Sequence, residues 1–179
     1  MIVIPSPVQC RHGDAFDPDR EEYMQESNLA AALEREHRDI DQNLAQFTEG
    51  LDRGEWRADS LDIAAVALRR HIYLEEKILF PPLRETGLVA PVAVMLREHG
   101  DIWQALDELQ QAADAGIDST VARRAYDELK YLLEAHNEKE EQILYPQADV
   151  VLDASTSARL RDFLTHGTLP TGWICEDLR

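Results

Sequence analysis

Cysteine is scarce in this sequence: Cys10 and Cys175 are its two, at opposite ends of 179 residues. Two thiols cannot build a disulfide framework, so a small disulfide-stapled secreted fold is excluded. Two reduced thiols are expected, a single bridge tying the termini being the alternative. Long apolar runs are missing too. No stretch reaches the roughly 18 residues a bilayer-spanning helix needs, and the opening MIVIPSPVQCRHG has no basic segment and two prolines. A signal peptide or membrane span is therefore not expected, and a cytoplasmic location is. Basic residues are short as well: 18 Lys and Arg stand against 35 Asp and Glu, a formal charge of −17. Such a surface repels phosphate backbones and anionic lipid, so neither nucleic acid nor a membrane is an expected partner.

What is present is helix. With 44% hydrophobic residues the chain can build one substantial core, and its length suits a single domain. Residues 1–20, rich in Pro, Asp and Gly, read as an irregular arm. From Ser27, Leu29, Leu33, Ile40, Leu44 and Phe47 recur at three- and four-residue steps up to Gly50 and Gly54. A second helix opens near Asp59 and Ser60, expected as caps, carries Ala64, Leu68, Ile78 and Leu79, and should stop at Pro81-Pro82. A third starts with Pro91 in its first turn and runs through Met95, Ile102, Leu106 and Leu109 to Gly116. A fourth begins around Ser119 and keeps Leu129, Leu132, Leu133, Ile143 and Leu144 on one face until Pro146. The expected fold is all-α: an antiparallel up-down-up-down four-helix bundle over 21–150. Residues 151–179 should add a short helix over 154–166 and a tail packed on the bundle by Trp173 and Ile174.

Two segments occur twice, in the order A, B, A, B: REHRDI at 35–40 returns as REHGDI at 97–102, and HIYLEEKILFP at 71–81 returns as HNEKEEQILYP at 136–146. They put polar residues in the middle of each apolar stripe. His37 lies between Leu33 and Ile40, and His99 between Met95 and Ile102. His71 with Glu75 and His136 with Glu140 are spaced i, i+4, on one side of their helices. Singly, each has an ordinary structural reading, as a hydrogen-bonded core histidine or a surface pair. Together they would bury four imidazoles and two carboxylates at several kcal/mol per unpartnered ionised group, and a bound cation compensates all six. Six nitrogen and oxygen donors without a thiolate exceed one tetrahedral zinc. Two ions fit better, with Glu75 and Glu140 bridging and the histidines split two and two; imidazoles with bridging carboxylates suit iron or manganese, and the histidine share favours iron. Glu36, Glu76, Glu98 and Glu141 fall about 100° away around their helices and read as solvated flank charges, with a hydrogen bond to a histidine as the alternative. His12 and His166 match nothing in the pattern.

At these residues the chain resembles the hemerythrin-like proteins with an HHE cation-binding domain. The resemblance spans about residues 28–148, with His37, HIYLE, His99 and HNEKE in the family's ligand order and ILFP and ILYP as typical endings. It implies a four-helix bundle around two non-haem iron ions with an oxo or hydroxo bridge. The partner it implies is a small diatomic or peroxide ligand, in sensing, detoxification or iron handling. The alternatives are an iron oxidase or peroxide-consuming enzyme, and a protein in which zinc or another cation only holds the helices together. The family's oxygen carriers have a second histidine one turn after the third-helix ligand, where this chain has Trp103. Classical oxygen carriage is therefore not expected, and the indole at i+4 from His99 is expected to shield an open iron position.

Overall fold

The structure, a computed structural model, describes residues 28–55, 57–114 and 119–179. The arm expected over 1–20, with Cys10 and His12, lies outside the described residues, as does the turn at Gly116. Helix α1 spans Leu29–Arg53. Asn28 caps it by accepting the Ala31 N–H at 3.3 Å. Gly54 ends it at φ 69°, a left-handed conformation that lets its N–H reach the Gly50 and Leu51 carbonyls. Helix α2 spans Ala58–Leu74. Asp59 and Ser60 prove to lie inside its first turn; Arg57 holds the cap position without a side-chain bond to the helix end. An acid there still complements the helix dipole.

Neither proline site stops its helix. After α2 the backbone widens into one π-helical turn, Glu75–Leu79, and continues as α3, Phe80–Glu85. After α4 (Val89–Asp114), helix α5 (Ser119–Lys139) does the same through a second π turn, Glu140–Leu144, into α6, Tyr145–Val151. Each π turn restarts the helix one residue before a proline, so Pro81 and Pro146 fall in a first turn, where a missing N–H costs little. The wide turn also re-aims side chains: Leu144 and Tyr145 are buried, whereas Ile143, expected inward, is exposed.

No strand occurs among the described residues, and no helix there is long and apolar enough to cross a membrane. Helix α1 packs along α2 and α4 along α5, while α2 also meets α4 and α1 meets α5. The interior falls into two apolar clusters, one holding Ile40, Leu68, Ile72, Ile102 and Leu133, the other Leu33, Leu79, Met95, Leu144 and Leu160. Helix α7, Ala154–His166, starts from Asp153, which accepts the Thr156 N–H at 2.7 Å, and packs on α1, α2 and the first π turn. The tail is held by Trp173, which meets Tyr73 and Trp103 at ring distances of 5.1 and 5.7 Å. It is also held by Cys175, a fully buried free thiol, rather than by Ile174, which is exposed. Gly100 stands where the first repeat has Arg38. A Cβ there would come within 2.5 Å of Asp177, so this glycine makes room for the tail.

Candidate metal centre

Every helix of the bundle passes from one apolar cluster to the other, and at the crossing each contributes a polar side chain. His37 comes from α1, His71 from α2, His99 from α4 and His136 from α5. Glu75 and Glu140 are the first residues of the two π turns. All six are buried, none more than 4% exposed. They form two groups whose donor atoms lie within 4.8 Å of one another: His37 and His71 in one, His99 and His136 in the other, with Glu75 and Glu140 in both. In the first, the His37 and His71 Nε2 atoms are 3.0 Å apart, and Glu75 Oε1 lies 3.4 Å from His71 Nε2. In the second, Glu75 Oε2 lies 3.2 Å from His99 Nε2 and Glu140 Oε2 3.3 Å from His136 Nε2.

The four flanking glutamates are not free surface charges. Each accepts a hydrogen bond from the Nδ1 of a histidine on the neighbouring helix: Glu36 from His71 at 2.9 Å, Glu76 from His99 at 3.1 Å, Glu98 from His136 at 3.1 Å and Glu141 from His37 at 2.9 Å. The pairs close a circuit from α1 to α2, α4, α5 and back to α1. Occupying Nδ1 in this way fixes each ring with Nε2 turned to the centre, the geometry and tautomer a cation ligand needs. The glutamates are anchored in turn, Glu36 by Arg70, Glu98 by Lys139 and Glu76 by the backbone N–H of Glu176 at 2.9 Å. The C-terminal tail thus supports His99 through Glu76. The clue available in the sequence was the repetition of these four glutamates with the histidines.

Tyr145 escaped the sequence reading altogether. Its hydroxyl lies 2.7 Å from Glu75 Oε1, 3.1 Å from Glu140 Oε2, 2.8 Å from His37 Nε2 and 3.1 Å from His71 Nε2. The repeat shows an aromatic before proline in both copies, Phe80 and Tyr145, but the π turn is what brings Tyr145 inward. Its counterpart Phe80 instead stacks on the His99 ring at 5.5 Å. Trp103 is buried in the apolar cluster, edge-on to Trp173 and beneath Arg69. A cavity of about 10 Å³ beside the histidines is lined by Ile102 of α4, with Leu68, Ile72 and Leu133, and not by Trp103.

Two carboxylates in one dry core dominate the electrostatics. Burial disfavours the His136 imidazolium, but Glu140, Glu98 and Glu75 outweigh it and hold the group up at about 10. His71 and His99 are raised likewise, against burial, by their glutamate neighbours. Burial and Glu75 push Glu140 upward, yet His136 and His37 hold it below the usual carboxylate range. Even so, Glu75 Oε2, His99 Nε2 and Glu140 Oε1 are buried without a hydrogen-bond partner. Orphaned polar atoms of this kind are costly, and a positive ion, once the His99 ring is neutral, is a partner that suits all three.

Helices that converge four imidazoles and two shared carboxylates on a buried point define a cation-binding helical protein. A family model, the Hemerythrin HHE cation binding domain, matches residues 28–148. The chain belongs to that family. The match includes all six central residues and Tyr145, and leaves α7 and the tail outside it. No curated protein and no solved structure matches the chain.

Proposed function

We propose that this chain is a non-haem di-iron protein that binds or reacts with dioxygen, nitric oxide or peroxide in sensing, detoxification or iron handling. The carrying observation is the membership of Glu75 and Glu140 in both donor groups. A carboxylate shared between two histidine pairs is what a pair of bridged ions requires, with His37 and His71 on one and His99 and His136 on the other. The order in which the helices cross the two apolar clusters supports the antiparallel up-down-up-down arrangement. Helices α1 and α4 run from the Leu33 and Met95 cluster to the Ile40 and Ile102 cluster, and α2 and α5 run back. Six nitrogen and oxygen donors and no thiolate favour iron over a structural zinc. Bound iron supplies one-electron chemistry and open coordination positions.

The protein's share is orientation and exclusion. Glu36, Glu76, Glu98 and Glu141 hold the imidazoles, and Ile102 and Leu133 wall a space on the scale of one water, which restricts entry to small ligands. The screening expected of Trp103 passes to Ile102, and Trp103 anchors the tail. With a net charge of −17 and a buried free Cys175, we place the protein in the cytoplasm without a nucleic-acid or membrane partner. Iron analysis with the spectrum of freshly purified protein tests the proposal. About two irons per chain, an oxo-bridge band in the near ultraviolet and a spectral response to azide or nitric oxide are expected. Turnover of Fe(II) or hydrogen peroxide would assign it to the iron oxidases or peroxide-consuming enzymes instead. One zinc in a colourless sample would reduce the centre to a clamp and overturn the proposal.

A further inference from the structure

The two halves of the centre are built from a repeated segment, and one of the positions at which the two copies differ lies at the centre. Residue 80 and residue 145 occupy the same place in the repeat, directly after a π turn and before a proline, and both are fully buried. One is Phe, the other Tyr. The Tyr145 oxygen sits among His37, His71, Glu75 and Glu140, within 3.1 Å of a donor atom of each. Phe80 places only a ring face against His99. A second observation agrees. The three central atoms without a hydrogen-bond partner, Glu75 Oε2, His99 Nε2 and Glu140 Oε1, form the His99 side. On the other side, Glu75 Oε1 and both imidazole Nε2 atoms already face the phenol, as does Glu140 Oε2, which lies between His37 and His136.

Resting on the two-ion reading above, we infer that Tyr145 is a seventh cation-site residue that serves the His37–His71 position alone, making the two positions chemically unequal. Tyr145 raises that position to five protein donors, while the His99–His136 position keeps four. A phenol oxygen that bonds a ferric ion gives up its proton to solvent, and the ion's charge offsets the buried phenolate. The His99–His136 position, with one protein donor fewer, keeps a coordination place for a small exogenous ligand, which reaches the pair from the cavity that His37, His71 and His136 line together. The sequence difference between ILFP and ILYP therefore separates a closed ion from an open one.

The test loads the full chain with two equivalents of Fe(II) without air, oxidises both ions with ferricyanide, removes the oxidant, and records iron content, visible absorption and resonance Raman. Two irons with a phenolate-to-iron charge-transfer band, enhancing tyrosinate vibrations, are expected. Tyr145→Phe should lose that band, keep the azide response, and weaken one of the two binding steps by about tenfold or more. In the double variant with Phe80→Tyr a phenolate band should return. Two irons with no tyrosinate signature in the wild type, or a band that survives Tyr145→Phe, overturns the inference while leaving the di-iron reading intact. Fewer than two irons in the wild type overturns that reading first. The wild-type spectrum decides even if the variants fail to fold.

Discussion

Replacing Glu140 by alanine removes an oxygen from both donor groups, whereas Glu141→Gln removes only the charged acceptor that orients His37. Iron analysis should find Glu140→Ala unable to hold two ions. Glu141→Gln should bind both about 10- to 100-fold more weakly, the usual cost of losing a carboxylate behind a ligand histidine. Wild-type affinity in Glu141→Gln would mean that the circuit of glutamates does not tune the centre. The same residues set the pH response of metal-free protein. His136 rises from 6.5 in the unfolded chain to about 10 when folded, so its stabilisation is full below pH 6.5 and disappears as pH climbs toward 10. Glu140 is held below 4.5, so its contribution is present above that pH and lost on acidification. Metal-free protein should therefore melt highest between pH 4.5 and 6.5, and lower at pH 9; a profile flat to pH 9 contradicts this. Cation affinity should run the other way and rise with pH, because binding must displace those protons.

At the scale of the element, each π turn brings the aromatic that follows it toward the centre. In an α-helix neighbouring residues differ by about 100° around the axis. The wider turn lets adjacent Glu75 and Glu76 both be buried, one facing the centre and the other reaching His99. It also rotates Tyr145 inward. Deleting exposed Gln142 should convert the second π turn to ordinary helix and swing Tyr145 away by about 100°. Far-ultraviolet dichroism should show the helix content retained, and iron analysis should show fewer than two ions per chain. Retention of both ions with an unchanged spectrum would show that the extra residue has no part in building the site.

Across the whole molecule, the polar belt cuts one potential core into two apolar clusters. Its donors are satisfied fully only by a ligand that the unfolded chain does not bind. Loading should raise the melting temperature, by the equivalent of roughly 2.7 kcal/mol at a hundredfold excess of ion over Kd, and a chelator should reverse it. Equal melting of loaded and stripped protein would mean the belt is not a cation site. The tail belongs to the same scale, because the Glu176 N–H connects the last residues to Glu76 and so to His99, while Cys175 is buried in the apolar core. Removing residues 175–179 should speed iron release to a chelator from one of the two positions, with the bundle still helical. A release curve identical to that of the full chain would assign the tail to packing alone.

Helix faces and the identity of the six central residues were legible in the sequence because both rest on local spacing. The 3.6-residue period fixes which positions share a stripe, the i, i+4 step keeps His71 with Glu75 and His136 with Glu140, and the repeat doubles the signal. Only the tertiary structure decided what the residues beside the stripe do. Glu36, Glu76, Glu98 and Glu141 lie at helix seams, where a carboxylate faces water or a neighbour's imidazole according to how closely the next helix packs. Tyr145, Ile143 and the prolines depended on a change of helical type that no period in the sequence announces, since one extra residue in a turn shifts every later side chain. The direction of Trp103 was likewise settled by a distant segment. Its place at i+4 from His99 allowed it to face the centre, but the indole packs on Trp173 from the tail and does not line the cavity beside the histidines.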